Sequence, residues 1–411
     1  MNNISEVVKS GLCLGCGFCT TKGNYEMKYS ETKGMYVPQQ IRQSDNSEFQ
    51  ICSAKGYSIK KMSDELFSTD SCYSVDLGYS YRQFTVSSLS DKILKNASSG
   101  GIMTHILLYL LEHKIVEKIV VTKFIYTENG PRTKTFFTDD VEEIINSQGS
   151  KYCPVNMDSF IEELNIHKRE KFAFAGTPCQ IASLREMQKT DKILEENLVI
   201  TIGNFCGGFK NYNNVRKIAK RHGIDYKNVN YFRFRGGGQP GTLLMTDSSQ
   251  RFYEANYPFY AGYTGYSKIL RCHLCVDATA ELADIACGDA WIDEYLKDEK
   301  TWSIAICRNK FAADIILDMK NKQKIVTRDV SDDDICYSQR QNIKSKKYRY
   351  ISRNNLYRRL GYQLPVFDGG FQTTGFPMTK ELKIFLVHRF KETIERLGLY
   401  KLFRIMINKK Y

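Results

Sequence analysis

Nowhere does this sequence offer the roughly 20 consecutive apolar residues that a membrane span requires, and its start, Met1-Asn-Asn-Ile-Ser-Glu, has neither a basic head nor an apolar run. A secretory signal and a spanning helix are therefore not expected, and the chain is placed in the cytoplasm. Internal repeats and low-complexity tracts are also missing, which leaves the apolar and charged fractions of an ordinary globular protein. At 411 residues the chain is long enough for two or three domains, each with its own core. Acidic residues are absent between Arg340 and Leu360, a stretch that holds Arg340, Lys344, Lys346, Lys347, Arg349, Arg353, Arg358 and Arg359. Within a chain of net charge +13, such a stretch either is a solvated face or meets an anionic partner. Nucleic acid, anionic lipid, an acidic electron-transfer protein and a phosphorylated cofactor or substrate all qualify.

Cysteine, by contrast, is abundant, with 13 residues, an odd number. A reducing compartment argues against a disulfide framework, so metal ligation better explains the excess. The densest group is Cys13-Leu-Gly-Cys16-Gly-Phe-Cys19. Three cysteines at a two-residue spacing let one tight loop aim three thiolates at a single iron-sulfur cube, and the glycines let the backbone wrap closely. The fourth thiolate of such a run can come from a distant position, and Cys52 in Ile51-Cys52-Ser53-Ala54-Lys55-Gly56 is the nearest. A structural zinc site or three buried thiols are the alternatives, although zinc usually recruits pairs rather than a triple. Residues 1–60 thus read as a small module stapled by a cluster, and residues 61–80 as a connector.

From residue 84 the pattern alternates between helix and strand. Strands are expected at Lys118 to Thr122, Lys171 to Ala175 and Leu198 to Asn204, with helices at Ile102 to Leu111, Asp158 to His167, Gln180 to Lys189 and Asn214 to His222. This interleaving predicts an α/β sheet covered on its faces. Short β segments follow at Tyr231 to Arg235 and Gly241 to Thr246, then a cysteine-bearing loop at 271–291. Residues 311–411 read as a basic, largely helical region. Beyond 380 two amphipathic helices are expected, one with Ile384, Phe385, Leu386 and Val387, the other with Leu402, Phe403, Ile405 and Met406. They suit either peripheral docking on the inner membrane face or packing on their own domain.

A second cysteine set is dispersed: Cys179, Cys206, and Cys272 with Cys275. Cys179 and Cys206 follow predicted strands, where an α/β sheet gathers its binding residues, so the four could meet in space. The Cys272-x-x-Cys275 pair alone would suit zinc or redox chemistry equally. Ser98-Ser99-Gly100-Gly101 opens a predicted helix, so serine capping, free backbone N–H groups and the helix dipole could serve an anion such as a flavin phosphate. Ser150-Lys151-Tyr152 and Gly236-Gly237-Gly238 add a cation, a ring and a flexible loop.

Taken in order, Ala97-Ser98-Ser99-Gly100-Gly101, Ser150-Lys151-Tyr152, Gly176-Thr177-Pro178-Cys179-Gln180, Phe205-Cys206-Gly207, Cys272-x-x-Cys275-x-Asp277 and Ala283-Asp284-Ile285-Ala286-Cys287-Gly288-Asp289-Ala290-Trp291 resemble the coenzyme F420 hydrogenase/dehydrogenase beta-subunit family over about residues 10–310. The resemblance implies a flavin-binding α/β domain at residues 80–310 carrying one 4Fe-4S cluster, and a ferredoxin-like segment at residues 1–60 supplying a second. By position, Cys13, Cys16, Cys19 and Cys52 would hold the outer cluster and Cys179, Cys206, Cys272 and Cys275 the inner one. Asn96, Ser98, Ser99, Gly100, Gly101, Ser150, Lys151, Gly176, Thr177 and Pro178 would line the flavin, expected to be FAD rather than FMN. Lys151 and Tyr152 are the nearest side chains able to donate a proton, with His105 and His273 as alternatives.

Members of that family include a bacterial branch associated with polysaccharide biosynthesis. The expected activity is therefore transfer of electrons from a ferredoxin-like donor through both clusters to the flavin, which reduces a small phosphorylated or nucleotide-linked substrate such as an activated sugar. The alternative is an electron-transfer subunit of a larger oxidoreductase with no substrate of its own. Nucleic acid is not expected as a partner; a zinc-stabilised nucleic-acid or scaffold protein would have to be colourless. Two features depart from the pattern: Ser53 stands where proline often follows the fourth cysteine, and Cys153 and Cys287 lie beside the motifs as competing ligands. Cys72, Cys307 and Cys336 are expected to be plain buried thiols.

Overall fold

The computed structural model describes residues 1–257, 268–369, 371 and 375–396. Its strands are β1 (Tyr25–Ser30), β2 (Met35–Gln40), β3 (Cys72–Ser74), β4 (Gly78–Ser80), β5 (Arg82–Ser88), β6 (Lys118–Thr127), β7 (Gly130–Thr138), β8 (Phe172–Gly176), β9 (Leu198–Asn204), β10 (Val229–Arg233), β11 (Thr242–Asp247), β12 (Phe252–Asn256), β13 (Ile285–Asp289), β14 (Ser303–Cys307) and β15 (Ile325–Asp329). Eight of them form one mixed sheet in the order β15-β5-β14-β13-β9-β8-β6-β7. β6, β8, β9 and β13 pair in parallel, while β14, β7 and β15 run against their neighbours. β5, antiparallel to β14, therefore points the same way as β13, and five strands end on one edge of the sheet.

Both faces are covered, as expected for a sheet with parallel strands at its centre. Alternation along each strand sends successive side chains to opposite faces. Ile119, Val121, Ala305 and Cys307 join one apolar core under the helices Ile102–Glu112 and Lys310–Asn321. Val120, Ile304 and Ile306 join the other, under Pro178–Gln188 and Asp158–Leu164. A three-stranded sheet, β10-β11-β12, packs with the helix Tyr212–Arg221 into a smaller core.

The α/β class and the elements expected between 102 and 246 are thus present, and four local readings need correction. First, residues 61–80, expected to be a connector, are folded into the core. The helix Ile59–Phe67 and the β3-β4 hairpin bury Met62, Phe67 and Leu77, and the buried Arg308 guanidinium donates to Leu77 O at 3.0 Å. Second, a boundary at 310 cuts the sheet, because β15 pairs with β5; a strand so close to a helical, basic tail left no separate signal. Third, the helix at 102 is not capped by serine. Gly101 takes the N-cap position at φ 71°, with no side-chain cap, because Ser99 Oγ is engaged with Ser303 Oγ at 2.9 Å. Fourth, Cys72 is exposed and Cys336 half-buried, whereas Cys307 is buried as expected. The helix Met378–Arg396 contains the first apolar stretch expected beyond 380; the second, at Leu402 to Met406, lies outside the described residues. No described helix is long and apolar enough to cross a membrane.

Candidate functional site

The edge where β5, β8, β9 and β13 end collects most of the motifs. After β8, Thr177 precedes the helix Pro178–Gln188, with proline at its first position, where a missing N–H costs nothing. Gln180 Oε1 accepts from Thr177 N at 2.8 Å and from Thr177 Oγ1 at 2.9 Å. That cap fixes the first turn and with it Cys179, whose Sγ lies 3.3 Å from Thr177 Oγ1. After β9, Phe205 N donates to Cys287 O at 2.6 Å and Cys206 N to Ala278 O at 2.9 Å, tying Cys206 to the segment that carries Cys275. Gly208 N, at a φ of 101°, donates to Cys206 Sγ at 3.3 Å.

Two groups of four free cysteines result. Cys179, Cys206, Cys272 and Cys275 lie within electrostatic reach of one another, and so do Cys13, Cys16, Cys19 and Cys52. Cys16 also feels Cys179, which makes the groups neighbours. Burial pushes the thiols of Cys13 and Cys179 up to about 12 and that of Cys272 up to about 11, and nearby cysteines push the same way. Cys275 is the exception: burial raises it, but Lys346 and Arg271 outweigh burial and lower it.

In the first group Gly15 N donates to Cys13 Sγ at 3.4 Å, and Met157 N donates to Cys16 O at 2.8 Å, so residues 154–158 brace the loop. The groups are joined by the buried Arg271, which donates to Ser53 O at 2.8 Å and Ala54 O at 3.0 Å, next to Cys52, while sitting beside Cys272. Among the described residues no three His, Cys, Asp or Glu side chains converge on one ion position. Two sets of four thiols, with N–H donors to the sulfurs of Cys13 and Cys206, have the ligand number and type that a 4Fe-4S cube takes. Cys153 and Cys287 stay outside both sets: Cys153 packs with Tyr212 in the core of the small sheet, and Cys287, raised to about 12 by burial alone, faces the helix-covered core of the large one.

The other predicted residues surround Arg235, which sequence reasoning did not single out. This buried side chain donates to Ser98 O at 2.8 Å, Pro240 O at 2.7 Å and Asp289 Oδ2 at 2.6 Å, and reaches Tyr152 Oη at 3.5 Å. The rings of Tyr257 and Trp291, stacked with centroids 5.5 Å apart, flank its guanidinium. The signals were an arginine beside a glycine run, and Asp289 and Trp291 inside a motif already noted. Gly236 and Gly238 run past Asn96 O and Ala97 O, with Gly238 N donating to Ala97 O at 3.1 Å. Around this space Gln148 Oε1, Arg233 Nε and Gln239 Nε2 are buried with no hydrogen-bond partner among the described residues. Orphaned polar atoms beside a planar aromatic pair and an arginine fit a polar, planar cofactor such as a flavin.

Not every predicted residue points there. Lys151 Nζ caps the helix Val141–Asn146, donating to Ser147 O and, at 3.3 Å, to Gln148 O; burial lowers its pKa to about 8. Gly100 is pressed against Val86 O and Ser303 N of the sheet, and Ser150 precedes Lys151 in the same turn-forming segment. Gly176 and Pro178 sit at the β8 end beside Cys179. His105 is buried against Ser88 Oγ at 2.9 Å, and burial lowers it to about 4. His273, held well below its ordinary value by burial, stacks edge-on with His388 at 5.2 Å. Both histidines are built into packing.

Two family models match the chain. The first describes the N-terminal part of the coenzyme F420 hydrogenase/dehydrogenase beta subunit and matches residues 84–162; the second describes its C terminus and matches residues 169–333. The chain is 24% identical over 302 residues to the coenzyme F420-dependent sulfite reductase of Methanocaldococcus jannaschii, an overlap of 69% of this chain but 43% of that protein. It is 26% identical over 247 residues to the coenzyme F420 hydrogenase subunit beta of Methanococcus voltae, an overlap of 56% of this chain and 80% of that relative. A chain of the F420-reducing NiFe hydrogenase complex from Methanosarcina barkeri shares the fold, with a TM-score of 0.53 and 19% identity over 69% of this chain and 96% of that one. Motif order, fold and both family models agree, and the chain belongs to the coenzyme F420 hydrogenase/dehydrogenase beta-subunit family.

Proposed function

We propose that the chain is an electron-transfer subunit of an oxidoreductase complex, holding one 4Fe-4S cluster on Cys13, Cys16, Cys19 and Cys52, a second on Cys179, Cys206, Cys272 and Cys275, and a flavin beside Arg235. The observation that carries this reading is the sorting of eight cysteines into two adjacent sets of four, the inner set at the strand edge that also carries the Arg235 site. Clusters pass electrons singly and a flavin collects them in pairs. The chain's own part is to hold these groups in line. Arg271 locks the loop after Cys52 to the Cys272 segment, and the β9 and β13 ends are bonded through Phe205 N and Cys287 O, which holds Cys206 and Asp289 on the same strand edge. Arg235, bonded to Pro240 O, Asp289 and Ser98 O, ties the Ser98 loop, the glycine run and the β13 end together beside the flavin position.

The relatives are named as a hydrogenase subunit and as a sulfite reductase more than twice the length of the matched region, which favours a subunit working with protein partners over a reductase with its own sugar substrate. A ferredoxin-like donor, FAD rather than FMN, and a role in polysaccharide synthesis remain expectations of the resemblance. Anaerobic purification followed by an absorption spectrum and iron, sulfide, zinc and released-flavin analysis tests the reading. It predicts about eight irons and one flavin per chain, with donor oxidation only when a partner enzyme is present. Zinc in a colourless protein would overturn it, and turnover of a small substrate by the isolated chain would restore the reductase reading.

A further inference from the structure

The acid-free basic stretch does not face solvent as a whole. It begins after residue 333, where the matching family model ends, and folds as the helix Arg340–Ile343, a π-helical turn at Lys344–Tyr348 and the helix Tyr350–Arg359. Such π turns are rare and recur at functional sites. This one buries two successive lysines. Lys347 pairs with the buried Glu281. Lys346 pairs with no carboxylate among the described residues: its Nζ lies 3.5 Å from Cys275 Sγ and donates to Asp277 O at 2.5 Å. Two helical turns on, the buried Arg353 donates from Nη1 to Ser345 O at 2.5 Å, while its Nε and Nη2 have no hydrogen-bond partner among the described residues; Glu381 and, more weakly, Cys275 lie within its electrostatic reach.

A buried ammonium with no carboxylate in contact with it needs a nearby negative charge, and the strongest favourable charges around Lys346 are Cys275 and Cys206. The four thiolates of the inner set supply one. On the iron-sulfur reading given above, we propose that residues 340–357 set the reduction potential of the inner cluster, with Lys346 as the positioning residue acting through Cys275 and Arg353 as a second contributor. Reduction adds one electron to the cluster, and no bond forms or breaks. The fixed positive charge and the hydrogen bond to sulfur favour the form carrying the extra negative charge and so raise the potential.

The test is an anaerobic dithionite titration of the full chain followed by EPR, with iron content measured in parallel, for the unaltered protein, Lys346→Met and Lys346→Arg. The expected result is a midpoint lowered for one cluster in Lys346→Met by at least about 59 mV, the one-electron equivalent of a tenfold shift in the reduced-to-oxidised ratio. The other cluster should not move, and Lys346→Arg should restore most of the shift. Lys346→Met that keeps about eight irons with both midpoints unchanged would overturn this inference and leave the two-cluster reading intact. An unaltered chain without iron would overturn both. If Lys346→Met loses iron, Arg353→Met decides in its place: a lowered inner midpoint supports the inference, and an unchanged one sinks it.

Discussion

Gly17 sits at φ 81°, and a Cβ there would meet Asn156 Oδ1 at 2.3 Å and Asp158 Oδ1 at 2.8 Å. Gly17→Ala should therefore both strain the backbone and push the 156–158 brace away from the Cys16–Cys19 loop. We expect a loss of roughly 1–3 kcal/mol in chemical denaturation, together with poorer iron retention; unchanged stability would mean that the loop is not braced as described. His105 makes a pH prediction. Its folded pKa, about 4, lies below the ordinary 6.5, so the fold prefers the neutral ring. The stabilisation is fully present above pH 6.5 and is lost as pH falls toward the folded value, amounting to about 2 kcal/mol by pH 5. Thermal unfolding of His105→Gln between pH 7 and pH 5 should show a correspondingly flatter pH dependence than the unaltered chain.

At the scale of elements, the helix Tyr350–Arg359 separates four arginines that look alike in sequence. Arg349, just before it, holds the buried Glu381 of the helix Met378–Arg396 in a two-pronged contact, both bonds 2.8 Å, and Arg353 is buried, whereas Arg358 and Arg359 are exposed. Arg349→Gln should cost about 3 kcal/mol, because it strands a buried carboxylate. The double change Arg358→Gln with Arg359→Gln should stay within about 0.5 kcal/mol. Thermal melts of the two proteins check this directly, and equal losses would show that the helix docks differently. The reading of this stretch as a solvated face holds for Arg358 and Arg359 but not for Arg349 or Arg353, because charge pattern along a chain does not reveal which turn faces inward. The strands and helices between 102 and 246, by contrast, were legible, since period-two and helical patterns record burial directly.

Across the whole molecule, the cysteine sets come from segments far apart in sequence and meet through Arg271. Cys16→Ser and Cys206→Ser should each remove about four irons of an expected eight while leaving the other set loaded. Arg271→Met, which cuts the link to Ser53 and Ala54 and removes a buried charge, should cost about 3–5 kcal/mol and lower iron content in both. Iron analysis beside unfolding curves distinguishes these outcomes; loss of all iron in both serine variants would mean a single shared centre.

The sequence by itself determined what depends on local pattern and spacing: the α/β alternation, the cysteine triple with its glycines, the family resemblance, and the placement of Cys179 and Cys206 just after strands. Only the tertiary structure decided what depends on which distant groups meet. It placed Arg235 among Ser98, Asp289 and Tyr152, turned Lys151 onto a helix end, packed His105 and His273 away, and folded Lys346 against Cys275. Each of these is a long-range contact between polar side chains, and a polar residue carries the same mark in a sequence whether it faces water, a carbonyl or a thiolate; burial and partner are properties of the fold.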